Sequence, residues 1–355
     1  MITVLVHYER ISLFHTMEPF FSKKYRKLFT FVQSPEYCLK RDRNKILFME
    51  RWFKNDLPPD LGLMEKLRDK YRFIVFFDGY AAAGTHLLEV LPYVDRLFHK
   101  SIFTDSENYR KDLYSKRLFS DYYHREFGIK DTNPEYHTNF NLSSEDAKRV
   151  ELSWSIGLGD YPRHHRPQRV GVGVAQYISP DLGRCFRTGS SKAPKDFSSP
   201  LRSLDVHSRV GLVSSEAVAH QRKICLEIIA GDERFATGVV PQKQYYRELE
   251  ESKIIFSPFG WGEVCFRDFE AVFAGAMLLK PDMSHLKTYP DVYIPYETYI
   301  PVKWDGSDLL EKTTYYLDNN TERMRIAKNA WDQYQEEILL IGGRLESIFQ
   351  SIMDL

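Results

Sequence analysis

The chain lacks the features that would tie it to an oxidising compartment, a membrane or a polyanion. Its four cysteines, Cys38, Cys185, Cys225 and Cys265, are widely scattered and none forms a CxxC pair. That argues against a disulfide framework or a thiolate zinc site, and for a reducing compartment. No apolar run approaches the roughly 20 residues of a membrane span. The apolar start, residues 1–7, is one strand long and has neither the basic region nor the cleavage site of a signal peptide. Lys+Arg and Asp+Glu are equal at 49 each, which argues against a chain-wide electrostatic grip on nucleic acid and leaves room for a local basic cleft. The sequence GxxxxGK[ST] is absent, which excludes a P-loop NTPase. Gly157-Leu-Gly159 and Gly171-Val-Gly173 lack the full GxGxxG pattern after a clear strand, so a dinucleotide site is set aside.

What is present is ample core material: 43% hydrophobic and 14% aromatic residues over 355 positions, enough for two domains. Short, continuously apolar runs at residues 2–7, 44–50, 72–78 and 101–105 read as strands of a sheet buried on both faces. Residues 63–71 and 85–97 have helical patterns between them, and residues 153–159 mark a last strand of the first half. Residues 131–201, rich in Pro, Gly, Ser, Arg and His, read as linker and irregular structure. The second half repeats the alternation: strands at 204–209, 235–240 and 253–257, helices at 218–230 and 243–251, a strand end at 302–305, a helix capped by Ser307, and helix from 321 onward.

One stretch organises the second half. Residues 257–281 run from a strand end through Gly260-Trp-Gly262 into a helix, then to Gly275 and another apolar strand. This is the length of a parallel crossover. Arg267 and Glu270, three residues apart, share one face of the helix's first turn. A glycine loop entering a helix N-terminus, with an arginine beside it, favours a phosphate. Such crevices at the carboxyl ends of strands are where open sheets bind ligands. Arg209, ending its strand, would point into the same crevice; by position alone a solvated loop arginine is an equal reading. Arg222 and Lys223 read as a solvated helix face. In the first half Asp78 ends the strongest strand and His86 follows it; either is a candidate general base. A turn or helix cap is the plainer reading of Asp78. His164 and His165 have no carboxylate or cysteine at ligand spacing, so no metal site is expected.

These residues resemble a known family. The order of a strand ending at Gly238, a helix with Tyr246, Ser252-Lys253 before a strand, Ser257-Pro258, the glycine loop, Glu270-Ala271 and Gly275 looks like the nucleotide-sugar half of GT-B glycosyltransferases of the group-1 and exostosin-like types. Asn320, Glu322, Arg323 and Ala327 resemble the tail of that domain. The resemblance implies an α/β, GT-B-like fold of two doubly wound Rossmann-like domains facing a cleft. Residues 1–165 would form the acceptor side, 166–200 a linker, and 201–335 the donor side, with 336–355 crossing back to the first domain. It implies that Glu270 holds the donor ribose and Arg267 and Arg209 the diphosphate, with Gly260 and Gly262 near it and Val240 by the base. It implies a metal-independent transferase with no cofactor beyond its nucleotide-sugar, acting on a glycan, lipid-linked or protein acceptor in surface polysaccharide or glycoconjugate synthesis. A cytoplasmic place, at the inner face of a membrane, goes with that reading; residues 117–123 would supply the peripheral contact, although the charge balance lends it no support. Many retaining relatives carry a second Glu eight residues before the ribose Glu. Here that place is Gly262, with Glu263 one position off, so retention or inversion stays open. An epimerase or hydrolase on the same fold, or a non-catalytic glycan-binding chain, are the alternatives.

Overall fold

The apolar runs become two parallel sheets in the computed structural model, which describes residues 1–7, 16–53, 59–84, 87–132, 142–159, 165–186, 197, 202–212 and 215–353. The first sheet contains β1 (Ile2–Val6), β2 (Phe29–Val32), β3 (Ile46–Glu50), β4 (Phe73–Asp78), β5 (Arg96–His99) and β7 (Val150–Leu152), in the order β2-β1-β3-β4-β5-β7. All of its pairings are parallel. The second sheet contains β8 (Leu204–His207), β9 (Phe235–Ala236), β10 (Ser252–Phe256), β11 (Met277–Pro281) and β13 (Ile300–Val302), in the order β13-β11-β10-β8-β9, again all parallel. A parallel sheet needs both faces covered, and β1 and β11 are buried at every residue.

The helices of more than eight residues are α1 (Leu61–Lys70), α2 (Leu118–Phe127), α3 (His165–Tyr177), α4 (Glu216–Ile228), α5 (Gln242–Glu251), α6 (Phe266–Ala274), α7 (Leu309–Asp318) and α8 (Asn320–Met353). Their ends follow local chemistry. Asp60 caps α1 by accepting from Leu63 N at 2.9 Å. α6 begins with Cys265 and Asp268 in a reciprocal cap and stops at Gly275, whose φ of 65° is left-handed.

Several expectations are corrected. Of the helix expected at 85–97, residues 85 and 86 lie outside the described residues and 87–97 do not form one: a 3₁₀ turn at Leu88–Tyr93 contains Pro92, which cannot continue a helical hydrogen-bond ladder, and β5 follows. The strand at residue 101, β6 (Ser101–Phe103), does not join the first sheet. It pairs antiparallel with β12 (Leu286–Thr288) of the second half. The last strand of the first half is β7, not residues 153–159, which are buried but irregular. The stretch expected to be linker and irregular contains α3, with Val172 and Ala175 in a core. α7 is capped at Asp308 instead of Ser307, and Asp308 Oδ1 is occupied by Lys303 N at 2.8 Å. β2 escaped the sequence reading. Residues 117–123 are no membrane-facing surface: Arg117, Phe119, Ser120, Asp121 and Tyr123 are all buried. No helix among the described residues is long and apolar enough to cross a membrane.

Two apolar clusters cover the faces of the first sheet, and the cluster around Val206, Ile254 and Met277 covers one face of the second. A further cluster lies at the junction. It joins Ala82, Phe119, Tyr123 and Ile156 of the first half to Phe259, Phe269 and Tyr334 of the second. α8 crosses between the halves, with Tyr334 in the junction and Leu345 and Ile348 in the core of the first sheet.

Candidate functional site

Where β10 ends, the backbone leaves the sheet at Ser257, whose N–H still donates to Leu279 O at 2.9 Å. The chain turns at Pro258 and Phe259, loops through Gly260–Gly262 and enters α6. One carboxylate holds this turn. Asp268 accepts from Ser257 Oγ at 2.5 Å, Tyr293 OH at 2.6 Å, Cys265 N at 2.8 Å and Lys280 Nζ at 3.1 Å. Asp268 and Lys280 are both fully buried. The sequence reading missed this network. Its signals were an Asp three residues after the cap position and a lysine inside the apolar run of β11.

The carboxyl ends of β8 and β10, with α4, α5 and α6, enclose a cavity of about 250 Å³. Arg222, Tyr245, Ser257, Cys265, Arg267 and Glu270 are its polar lining, and Val210, Pro258 and Phe266 its apolar part. Arg267 and Glu270 therefore meet, as their spacing requires. Glu270 accepts from Tyr245 OH at 2.7 Å, and Arg267 donates from Nη2 to Arg209 O at 2.5 Å. Burial works against the Arg267 charge, but Tyr245 and Glu270 keep it firmly protonated. An open groove beside the edge strand β9, lined by Leu226, Ile229, Thr237 and Val239 among others, shares Val210 and Gly211 with this cavity.

Arg209 does not face the cavity with its guanidinium. Its Nε and Nη2 each donate to Glu248 at 2.8 Å, and Nη1 donates to Thr237 O. The pair with Arg209 holds the Glu248 carboxyl below its ordinary value. Beneath it lies His207, fully buried, edge-on to Tyr245 at 4.9 Å, with neither ring nitrogen hydrogen-bonded. Burial and the neighbouring Arg267 charge depress its pKa to about 3. Arg222, read from the sequence as part of a solvated face, turns inward: Nε donates to Phe259 O at 3.0 Å and Nη1 to Gly211 O at 2.7 Å. Lys223 is solvated, beside an equally exposed Glu227 at 3.8 Å. Val240 is half-buried just past β9, outside the cavity lining.

Gly260 and Gly262 do not line the cavity either. Gly262 is fixed by the first half: a Cβ there would overlap the Ala81 carbonyl. Glu263 also turns away from the cavity. It is fully buried, accepts from Ala83 N at 3.2 Å and lies 3.8 Å from His285. Burial would raise its carboxyl, but His285 and the backbone N–H groups hold it below its ordinary value. Arg117 completes the contact by donating to Trp261 O at 3.1 Å with its guanidinium over the Trp261 ring.

Asp78 sits at the end of β4, buried, with Oδ1 accepting from Tyr80 N at 3.0 Å and Oδ2 from Leu87 N at 3.1 Å. Both oxygens thus organise the loop after β4, the arrangement of a turn residue. His86 lies outside the described residues, as does His164. No group of three His, Cys, Asp or Glu positioned for a metal occurs among the described residues.

Two helix-flanked parallel sheets, joined across a junction and carrying a polar cavity at the carboxyl edge of the second, define the GT-B architecture. Residues 213–341, which carry the cavity-lining helices, match the family model described as glycosyl transferase-like. No curated protein matches the chain. Among solved structures it is similar to HepE of Anabaena in complex with UDP-glucose, at 8% identity over 99% of both chains and a TM-score of 0.43. It is also similar to an α-glucosyltransferase solved with UDP and a mismatched DNA 13-mer, at 9% identity over 99% of this chain and 98% of that one, with a TM-score of 0.46. TarM is matched at 8% identity over 89% of this chain and 57% of its own, with a TM-score of 0.46.

Proposed function

We propose that the protein is a glycosyltransferase that takes its sugar from a nucleoside-diphosphate donor seated in the cavity between β8, β10 and α6. The observation that carries this is the convergence of Arg267 and Glu270 on one small cavity at a sheet's carboxyl edge, within the segment that matches a glycosyl transferase-like family. Glu270, steadied by Tyr245, would accept the ribose hydroxyls. Arg267 would neutralise the diphosphate as its charge grows on departure from the sugar, a contact that strengthens in the transition state. The groove along Val239 would receive the base. Cationic side chains do here what a metal ion does in other transferases, so transfer would proceed in EDTA without a cofactor. The acceptor would be a glycan, a lipid-linked saccharide or a protein, presented from the first half across the junction.

A thermal-shift screen with UDP, GDP, ADP and CMP and their sugars tests the reading. At least one nucleotide should raise the melting temperature, and Glu270→Ala should weaken its binding about tenfold or more. No response to any nucleotide, or an unchanged affinity in Glu270→Ala, would sink the donor site. Donor turnover without acceptor would move the protein to the hydrolases or epimerases.

A further inference from the structure

The cavity holds two guanidinium groups against one carboxylate: Glu270 favours the Arg267 charge, while Arg222 has no ion-pair partner among the described residues. Arg267 bonds to the Tyr245 hydroxyl and to the Arg209 carbonyl; Arg222 bonds to the carbonyls of Phe259 and Gly211. Every one of these acceptors is uncharged. A charge drawn away from water without a counter-ion is costly, so a second guanidinium with no carboxylate of its own in that space marks a place for an anion. Arg209, by contrast, has its charge matched by Glu248 in a two-pronged contact and its third arm occupied by Thr237 O. Moving it onto a ligand would strand the buried Glu248 carboxylate.

We propose that Arg222, and not Arg209, is the second cation that grips the donor diphosphate, opposite Arg267. Arg222 Nε is spent on the turn and Nη1 on Gly211 O, and the third nitrogen, Nη2, lies beside the glycine loop: a Cβ on Gly260 would stand 3.3 Å from it and 3.3 Å from Sγ of Cys265, which lines the cavity. α4 thus holds Phe259 at both ends, since Gln221 accepts from Phe259 N at 2.7 Å while Arg222 takes Phe259 O. The grip fixes the turn and leaves Nη2 beside Gly260 and Cys265, where the chain enters α6. A diphosphate there meets Arg222 from α4, Arg267 from α6 and the α6 N-terminus. Arg209 then has a different role, because with Glu248 it braces α5, whose Tyr245 steadies Glu270. The inference rests on the donor-cavity reading above for the identity of the ligand, and on the uncompensated Arg222 guanidinium lining the same space as Arg267 for the place of the anion.

Titration calorimetry with inorganic pyrophosphate, at low salt and without metal, tests it separately from that reading. Wild-type protein should bind pyrophosphate. Arg222→Gln, which keeps one hydrogen-bonding arm but no charge, should weaken binding about tenfold or more, and Arg222→Lys should recover part of the loss. Arg209→Lys, which keeps the charge beside Glu248 but loses the two-pronged contact, should weaken pyrophosphate binding clearly less than Arg222→Gln does. Should Arg222→Gln fail to fold, phenylglyoxal labelling of the wild type decides: pyrophosphate should shield Arg222 from modification and leave Arg209 labelling unchanged. The inference is overturned if the wild type ignores pyrophosphate, if folded Arg222→Gln binds it within twofold, if Arg209→Lys loses as much as Arg222→Gln, or if Arg222 is not shielded. Pyrophosphate binding that depends on Arg222, in a protein that binds no nucleotide, would keep the anion site and discard the sugar donor. Nucleotide binding indifferent to Arg222 would do the reverse.

Discussion

At the scale of single residues, three buried titratable groups have no open role in binding, and their chemistry is readable as stability. Asp78 spends both oxygens on backbone N–H groups of the loop that meets Gly262. Removing the carboxylate leaves those donors unsatisfied, which costs about 1–3 kcal/mol. Asp78→Ala should therefore lower the melting temperature while nucleotide affinity is retained. An unchanged melting temperature with transfer abolished would instead make Asp78 the base. His207 gives a pH signature. Its folded pKa, about 3, lies below the ordinary 6.5, so the unfolded chain binds the extra proton between those values. Its contribution is complete above pH 6.5 and is lost as pH falls toward 3, at up to about 1.4 kcal/mol per pH unit. Glu248, also depressed, loses its contribution only at lower pH, as the acid range of carboxylates is entered. Urea unfolding from about pH 7.5 to about pH 5 should show stability falling with acidity, and His207→Phe should flatten that slope. An equal slope in the variant would remove His207 as its source.

At the scale of elements, β10, the glycine turn and α6 form one unit, and the buried Asp268–Lys280 pair is its fastening. Lys280 comes from β11 and Asp268 from α6, so the pair ties the start of the helix to the next strand. Removing one partner leaves the other charge buried, at a cost of about 3–5 kcal/mol. Lys280→Met should therefore melt far lower than wild type, and the double change Lys280→Met with Asp268→Asn, which removes the stranded charge but keeps an acceptor for the turn, should recover part of the loss. A single variant as stable as wild type would show the pair to be dispensable. The sequence made this unit legible because its pattern is local: an apolar strand, a glycine turn, two polar residues three apart and a terminating Gly275. It also placed Arg267 and Glu270 correctly side by side. It could not show which way Arg209 and Arg222 point, because that depends on Glu248 and Phe259, 39 and 37 positions away. Nor could it show why position 262 is glycine. That answer lies in Ala81, across the junction, and no local pattern encodes it.

At the scale of the molecule, domains joined in one chain are by default free to move relative to each other unless a large apolar interface binds them. Here the junction is built as a core. Phe119, Tyr123 and Ile156 from the first half pack with Phe259, Phe269 and Tyr334 from the second. Directed contacts fix the register of that packing. Tyr123 OH donates to Trp304 O at 2.6 Å and Tyr334 OH to Gly157 O at 2.9 Å, while Arg117 holds the Trp261 loop and β6 pairs with β12. Both partners of each contact come from halves that are otherwise separate sheets, so neither half can unfold without opening apolar surface on the other. The chain should therefore melt in one calorimetric transition, with van't Hoff and calorimetric enthalpies equal. A ligand confined to the cavity of the second half should move that whole transition, by about 2.7 kcal/mol of added stability at a hundredfold excess over its dissociation constant. Two resolved transitions, only one of which responds to nucleotide, would mean that the junction is an interface between independent domains, and that its apolar cluster does not couple them.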